Sequence, residues 1–305
     1  MSRSIEYVNA CGLRVDGRRP GEVRRLSAAL GCAPSCDGSA LLELGGTRVL
    51  ATVRGPRRPA RRGEAEEEHC TITVSFTQAP FATAERRVRR AGDRKLVEAC
   101  GALQASYQAA VLTRLYPRAE ISVSLHVLAS DGGALVAALN AGTLALIDAG
   151  IAMRDFVAAA GVLHVGGRAL LDPSGAETQG GAPELLVATL PASGALVMTT
   201  MDARLPAEAF PGLLAAAVSA AAMMHEVMRG FVGERARARV RALEGGGEEG
   251  EEDEEGEEEG MRSGGGGGGA LEAPAGLVLQ RRGGEGPLPV TVAAGAAAER
   301  AQGAR

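Results

Sequence analysis

Asp131-Gly132-Gly133 separates an alternating apolar segment (Ile121, Val123, Leu125, Val127) from a run rich in alanine and leucine. A strand that turns sharply on two glycines into a helix leaves the first helical N–H groups unpaired and pointing outward, the geometry of an anion cradle. The next residues limit what that cradle can do. Firm binding of phosphate asks for a guanidinium, ammonium or hydroxyl at this point, and Ala134 and Leu135 stand there instead.

Other residues capable of chemistry form no constellation. Cys11, Cys32, Cys36, Cys70 and Cys100 include no CxxC pair and keep no ligand spacing with the four histidines, so neither a zinc site nor a disulfide framework is expected. His126 falls mid-strand as an interior or partner-facing histidine, and Met223, Met224 and His225 read as helix packing. No metal centre and no cofactor are expected.

The charge is unevenly distributed. Residues 1–243 hold 28 basic against 23 acidic side chains, net +5, while residues 244–305 hold 5 against 14, net −9. Lys95 is the lone lysine, and arginine forks suit phosphate better than a point charge does. The N-terminus has no apolar leader core, and no later segment reads as apolar for long enough to span a bilayer without charge or glycine, so a soluble protein of a reducing compartment is expected.

The surrounding pattern supplies the elements that would position the turn. Residues 39–44 and 47–53 alternate around Gly45-Gly46 as a hairpin, and 70–76 alternate again after an exposed loop over 56–68. Asp93 caps a helix expected over 93–115, whose inner face carries Leu96, Cys100, Leu103, Tyr107, Ala110 and Val111. Strands are expected near 157–165, 185–190 and 195–201, followed by a helix from Pro206 to about Val232. Phe76, Phe81 and Tyr107 read as core or strand residues. This is an α+β domain over 1–243 with mixed sheets. Residues 244–305, acidic and then Gly/Ala-rich, have too little apolar surface to offset chain entropy and read as a disordered tail.

The runs GLRVDGRRPGEVRRL, DGSALLELGGTRVLATVRGP, FATAERRVRRAGDRKLVEA, LHVLASDGGALVAALNAGTLALIDAGIAMRDFV and LPASGALVMTTMDARLP, in that order, resemble the RNase PH family across residues 7–240. Within it they resemble the RNA exosome ring subunit whose archaeal counterpart is phosphorolytic. The resemblance implies the RNase PH fold, of ribosomal-protein-like ββαβα units with packed helices. It also implies a six-membered ring with other RNase PH-type subunits, capped by KH/OB-type subunits and threading single-stranded RNA. Nucleus, nucleolus and cytoplasm are the implied locations, with no membrane partner.

Active members cut RNA from the 3′ end by attack of inorganic phosphate, in places with magnesium. Their glycine turn is followed by Thr and Arg, the positions of Ala134 and Leu135 here; Arg94 and Lys95 match a second cationic site, leaving a degenerate phosphate pocket of Gly132, Gly133, Arg94 and Lys95. The catalytic aspartates fall at Thr178 and Glu184, so Glu177 and Glu184 are the residual carboxylate candidates. Arg86, Arg87, Arg89, Arg90, Arg94 and Lys95 match the segment that contacts the RNA backbone. A ring subunit without catalysis of its own is expected. The alternatives are an active phosphate-dependent exoribonuclease and a stand-alone RNA-binding scaffold.

Overall fold

The computed structural model describes residues 7–9, 12–59, 67–83, 85–86 and 93–245. A five-stranded sheet has the order β1-β2-β3-β5-β4, formed by β1 (Leu26–Leu30), β2 (Gly38–Leu44), β3 (Thr47–Arg57), β4 (Thr71–Gln78) and β5 (Glu120–Ala129). The expected hairpin is β2–β3, turning through Gly45 at φ 57°. β4 and β5 run parallel, which requires a crossover, and α1 (Arg94–Ala110) supplies it. Asp93 caps α1 as expected, its side chain accepting from the Lys95 N–H. The helix ends at Ala110, and a short 3₁₀ turn over Thr113–Leu115 occupies the rest of the expected span.

The second sheet is antiparallel in the order β7-β6-β8-β9, from β6 (Ala158–Val165), β7 (Arg168–Leu171), β8 (Glu184–Leu190) and β9 (Ala195–Met201). Between β7 and β8 lies a single helical turn, α3 (Gly175–Thr178). The short strands β1 and β7 were not expected from sequence, since neither has a run of strict alternation long enough to stand out.

The helix α2 (Ala134–Asp148) joins the two sheets, and every residue from Val136 to Leu146 is buried. A helix enclosed on all sides needs small residues where partners approach. A β-carbon added at Gly142 would stand 2.0 Å from the Tyr107 hydroxyl, which donates to the Leu139 carbonyl at 3.1 Å. Asn140 grips β6 from within α2, accepting from the Ala159 N–H at 2.8 Å and donating to its carbonyl at 3.1 Å.

The last helix, α4 (Phe210–Gly245), starts later and runs further than the expected 206–232. Its length and mean hydropathy would suffice to cross a bilayer, although Gly212, Glu226, Arg229 and Gly230 interrupt the apolar run as the sequence expectation has it. Leu213, Ala217, Ala220, Ala221, Met224 and Met228 are buried in the core cluster, so its apolar face is satisfied within the protein. Met224 is thus a packing residue, and His225 stacks edge-on to Phe156 at 5.1 Å. Phe81, by contrast, is 72% exposed and not a core residue. The expected disordered tail lies outside the described residues beyond Gly245.

Candidate active site and its relatives

The glycine turn has the backbone geometry that its sequence requires. Gly132 and Gly133 have φ of 80° and 64°, and Gly133 caps α2 in the left-handed region. A β-carbon on Gly132 would lie 2.7 Å from the Gly175 N–H nitrogen, so no side chain fits where the turn meets the residues before α3. Thr47 braces the turn from β3, accepting from Asp131 N–H at 3.0 Å and donating to the Gly132 carbonyl at 2.7 Å.

The cation beside this turn is Arg24, a residue for which the sequence suggested no role beyond a polar lead-in. Its backbone N–H and Nε donate to Asp172 Oδ2 at 2.8 and 2.9 Å, and Nη2 donates to Oδ1 at 2.7 Å. The other edge of the guanidinium donates to the carbonyls of Asp131 and Gly132. Arg24 is 7% exposed and Asp172 is 2% exposed. Burial works against the Arg24 charge, but hydrogen bonding to Asp172 and the surrounding carboxylates prevail and hold its pKa above the ordinary value. The guanidinium is therefore committed to structure.

Two more arginines converge on the same strand end. Arg14 and Arg18 each donate to the Asp172 carbonyl at 3.1 Å, and Arg14 Nε donates to Glu177 Oε1 at 2.8 Å. Glu177 also closes a capping box with Ser174 at the start of α3 and is 1% exposed. Burial favours its neutral form, yet the Arg14 and Ser174 hydrogen bonds outweigh this and keep its carboxyl below the usual range. The structure thus places this candidate in a buried ion pair, away from solvent.

Thr178 is half-buried, and its hydroxyl donates to the Gly175 carbonyl at 3.1 Å. Glu184 is half-buried at the start of β8. Because Leu185 pairs with Met201, Glu184 faces Asp202 just past the end of β9. Burial first, and then the Asp202 charge, raise the Glu184 carboxyl above its ordinary value. The carboxylate pair present is therefore Glu184 with Asp202. Sequence reasoning used the MDARLP run but assigned its aspartate no role; the hairpin register would have found it.

The family model described as 3′ exoribonuclease family, domain 1, matches residues 22–152. Human exosome complex component RRP41 is 42% identical over 234 residues, covering 76% of this chain and 96% of that protein. The chain belongs to the RNase PH family. The crystal structure of rice (Oryza sativa) Rrp46 superposes with a TM-score of 0.64 at 26% identity, covering 72% of this chain and 100% of that one. The Archaeoglobus fulgidus exosome with RNA bound to the active site gives 0.62 at 23% identity over 71% of this chain and 92% of that one, a likeness of fold. The expected RNase PH fold, with its mixed sheet and packed helices, is the fold observed.

Within this RNase PH domain, the expected cations open α1. Arg94 is 91% exposed and bonds Glu98 at 2.8 Å. Lys95 is exposed too, and among the described residues no hydrogen bond or ion pair joins either to Gly132 or Gly133. Arg86 is exposed, while Arg87, Arg89 and Arg90 lie outside the described residues. His126 faces outward on β5 with Nδ1 at 2.6 Å from the Thr77 hydroxyl.

Proposed function

We propose that this chain is a core-ring subunit of an RNA exosome that guides RNA without phosphorolytic activity of its own. The observation that carries this reading is the entry to α2. Its glycine turn is intact, but Ala134 and Leu135 offer neither hydroxyl nor guanidinium to a phosphate, and Arg24 already donates four of its five side-chain N–H groups to Asp172 and the turn carbonyls. The carboxylates support the same reading. Glu177 is neutralised by Arg14, Thr178 is no acid, and Glu184 is half-buried beside Asp202, which disfavours its ionised form.

Partners follow from the relatives, whose names place them in exosomes, and from one solved relative described with RNA at its active site. Exposed Phe81, Val97, Leu115, Leu196 and Met201 give this chain apolar surface suited to neighbouring ring subunits. Arg86, Arg94 and Lys95, with the arginines at 87, 89 and 90, are the residues proposed to contact the RNA backbone, and KH/OB-type caps the further partners. A nuclear, nucleolar and cytoplasmic distribution goes with that assignment.

The deciding experiment incubates the reconstituted ring with RNA and inorganic phosphate. No release of nucleoside diphosphates is expected from this subunit. Phosphate-dependent release that disappears in Glu184→Ala would establish the active alternative instead.

A further inference from the structure

The far end of α4 leaves the body of the domain. From Glu234 to Leu243 each residue is exposed, in the sequence ERARARVRAL, so four arginines face a single glutamate. Arg235 and Arg239 form one row, a helical turn apart, and Arg237 and Arg241 a second row on nearly the opposite side of the helix. Arg235 is partly compensated, with Nε 3.5 Å from the buried Asp148 at the end of α2. Arg237 Nε donates to the Gly233 carbonyl, and Arg239 and Arg241 have no ion-pair partner among the described residues. Arg235 and Arg239 also line a cleft of about 350 Å³ whose other wall includes Gly31, Cys36 and Ser39.

This surface is remote from the glycine turn. Asp148 and Gly133 mark opposite ends of the 15-residue α2, so about 22 Å of helix separates the arginine cleft from the candidate active site. The pair with Asp148 accounts for Arg235 alone. The other three guanidinia are left solvated, within about 6 Å of helix, on a segment that contributes nothing to the core.

We infer that the end of α4, through Arg235, Arg237, Arg239 and Arg241, binds the phosphate backbone of RNA as a second contact outside the channel. Cations on two opposite sides of one helix cannot both face a flat protein surface, but they can be straddled by a phosphate chain. The residues between them, Ala236, Ala238 and Val240, are short, which keeps the helix slim enough for close approach. Forked guanidinia suit phosphate oxygens, and the absence of aromatic side chains from the segment points to contact without base preference. The inference rests on reading the chain as an RNA-processing subunit.

The test is fluorescence anisotropy with the full-length chain and a labelled 20-nucleotide RNA, between 50 and 200 mM salt. Replacing Arg237, Arg239 and Arg241 by glutamine, a residue of similar helix propensity, should lower the slope of log affinity against log salt by about 2, at roughly 0.7 per phosphate contact. Circular dichroism and thermal unfolding should match the parent. An unchanged slope, or binding that is lost only on substitution of Arg86, Arg94 and Lys95, overturns the inference and leaves the channel reading standing. Displacement of RNA-free chain from a poly-glutamate probe only, with no RNA binding, identifies an acidic protein surface as the partner and also overturns it. The phosphorolysis assay decides the channel reading separately.

Discussion

Arg24 and Asp172 meet through three hydrogen bonds of 2.7 to 2.9 Å, although 148 residues separate them in the chain. This contact fastens the residues ahead of β1 to the end of β7, and through the Arg24 bonds to the Asp131 and Gly132 carbonyls it fixes the glycine turn as well. Asp172 adopts φ 49°, a left-handed conformation that only strong local bonding sustains in a non-glycine residue.

Removing one member of a buried pair strands the charge of the other. Arg24→Gln should therefore lower unfolding stability by about 3–5 kcal/mol, and Asp172→Asn by a similar amount. Asparagine tolerates the left-handed backbone, so the second loss isolates charge from strain. Urea titration checks both, and the double variant Arg24→Met/Asp172→Asn should recover part of the deficit because no charge is then left unpaired.

Glu177 gives stability a defined acid limit. Its folded pKa lies below the ordinary value of 4.5, so its contribution is complete above that value and disappears as pH falls through the lower folded value. Glu177→Gln should destabilise the protein at pH 7 and flatten the loss of stability below about pH 4.5. Denaturation midpoints between pH 3 and pH 7 measure the slope. An identical acid slope in the variant would remove Glu177 as its source.

Glu184 works in the opposite sense. Burial and Asp202 raise its folded pKa, so the folded state retains the proton longer and stability declines as pH rises from the ordinary value through the raised one. Glu184→Gln should stabilise the protein at pH 7 and have little effect below pH 4. Asp202→Asn should bring the Glu184 titration, followed by carboxyl NMR, back toward its ordinary value. A Glu184 titration unmoved in Asp202→Asn would refute the coupling of the pair.

The sequence made the local parts of this architecture legible and left the distant ones obscure. Alternation identified β2, β3, β4 and β5, the glycines located the turn before α2, and Asp93 announced its cap because the partner is two residues away. Arg14 and Arg24 looked like ordinary members of a basic lead-in, since Glu177 and Asp172 lie roughly 150 residues downstream and no periodicity links them. For the same reason Glu177 read as a free carboxylate when it is a buried partner. The extension of α4 past Val232 was hidden because its arginines break the apolar pattern, while their helix propensity sustains the helix. Phe81 misled because aromatic residues usually mark a core, and here the ring stands on the surface.

If silence at the active site results from the groups at α2 and β8, restoring them should restore chemistry. Leu135 and Thr178 are both half-buried, so an arginine stem at 135 can lie along the apolar surface with its head in solvent, and aspartate at 178 remains hydrated. Each preorganised charge at a transferring phosphoryl group is worth about 100-fold in rate. The ring carrying Leu135→Arg, Thr178→Asp and Glu184→Asp together should release nucleoside diphosphates from RNA only with phosphate present, whereas each single variant should stay near background. A triple variant that binds RNA normally and remains inert would show that the deficiency lies elsewhere. In that case the first residue to suspect is Arg24, whose guanidinium is engaged by Asp172.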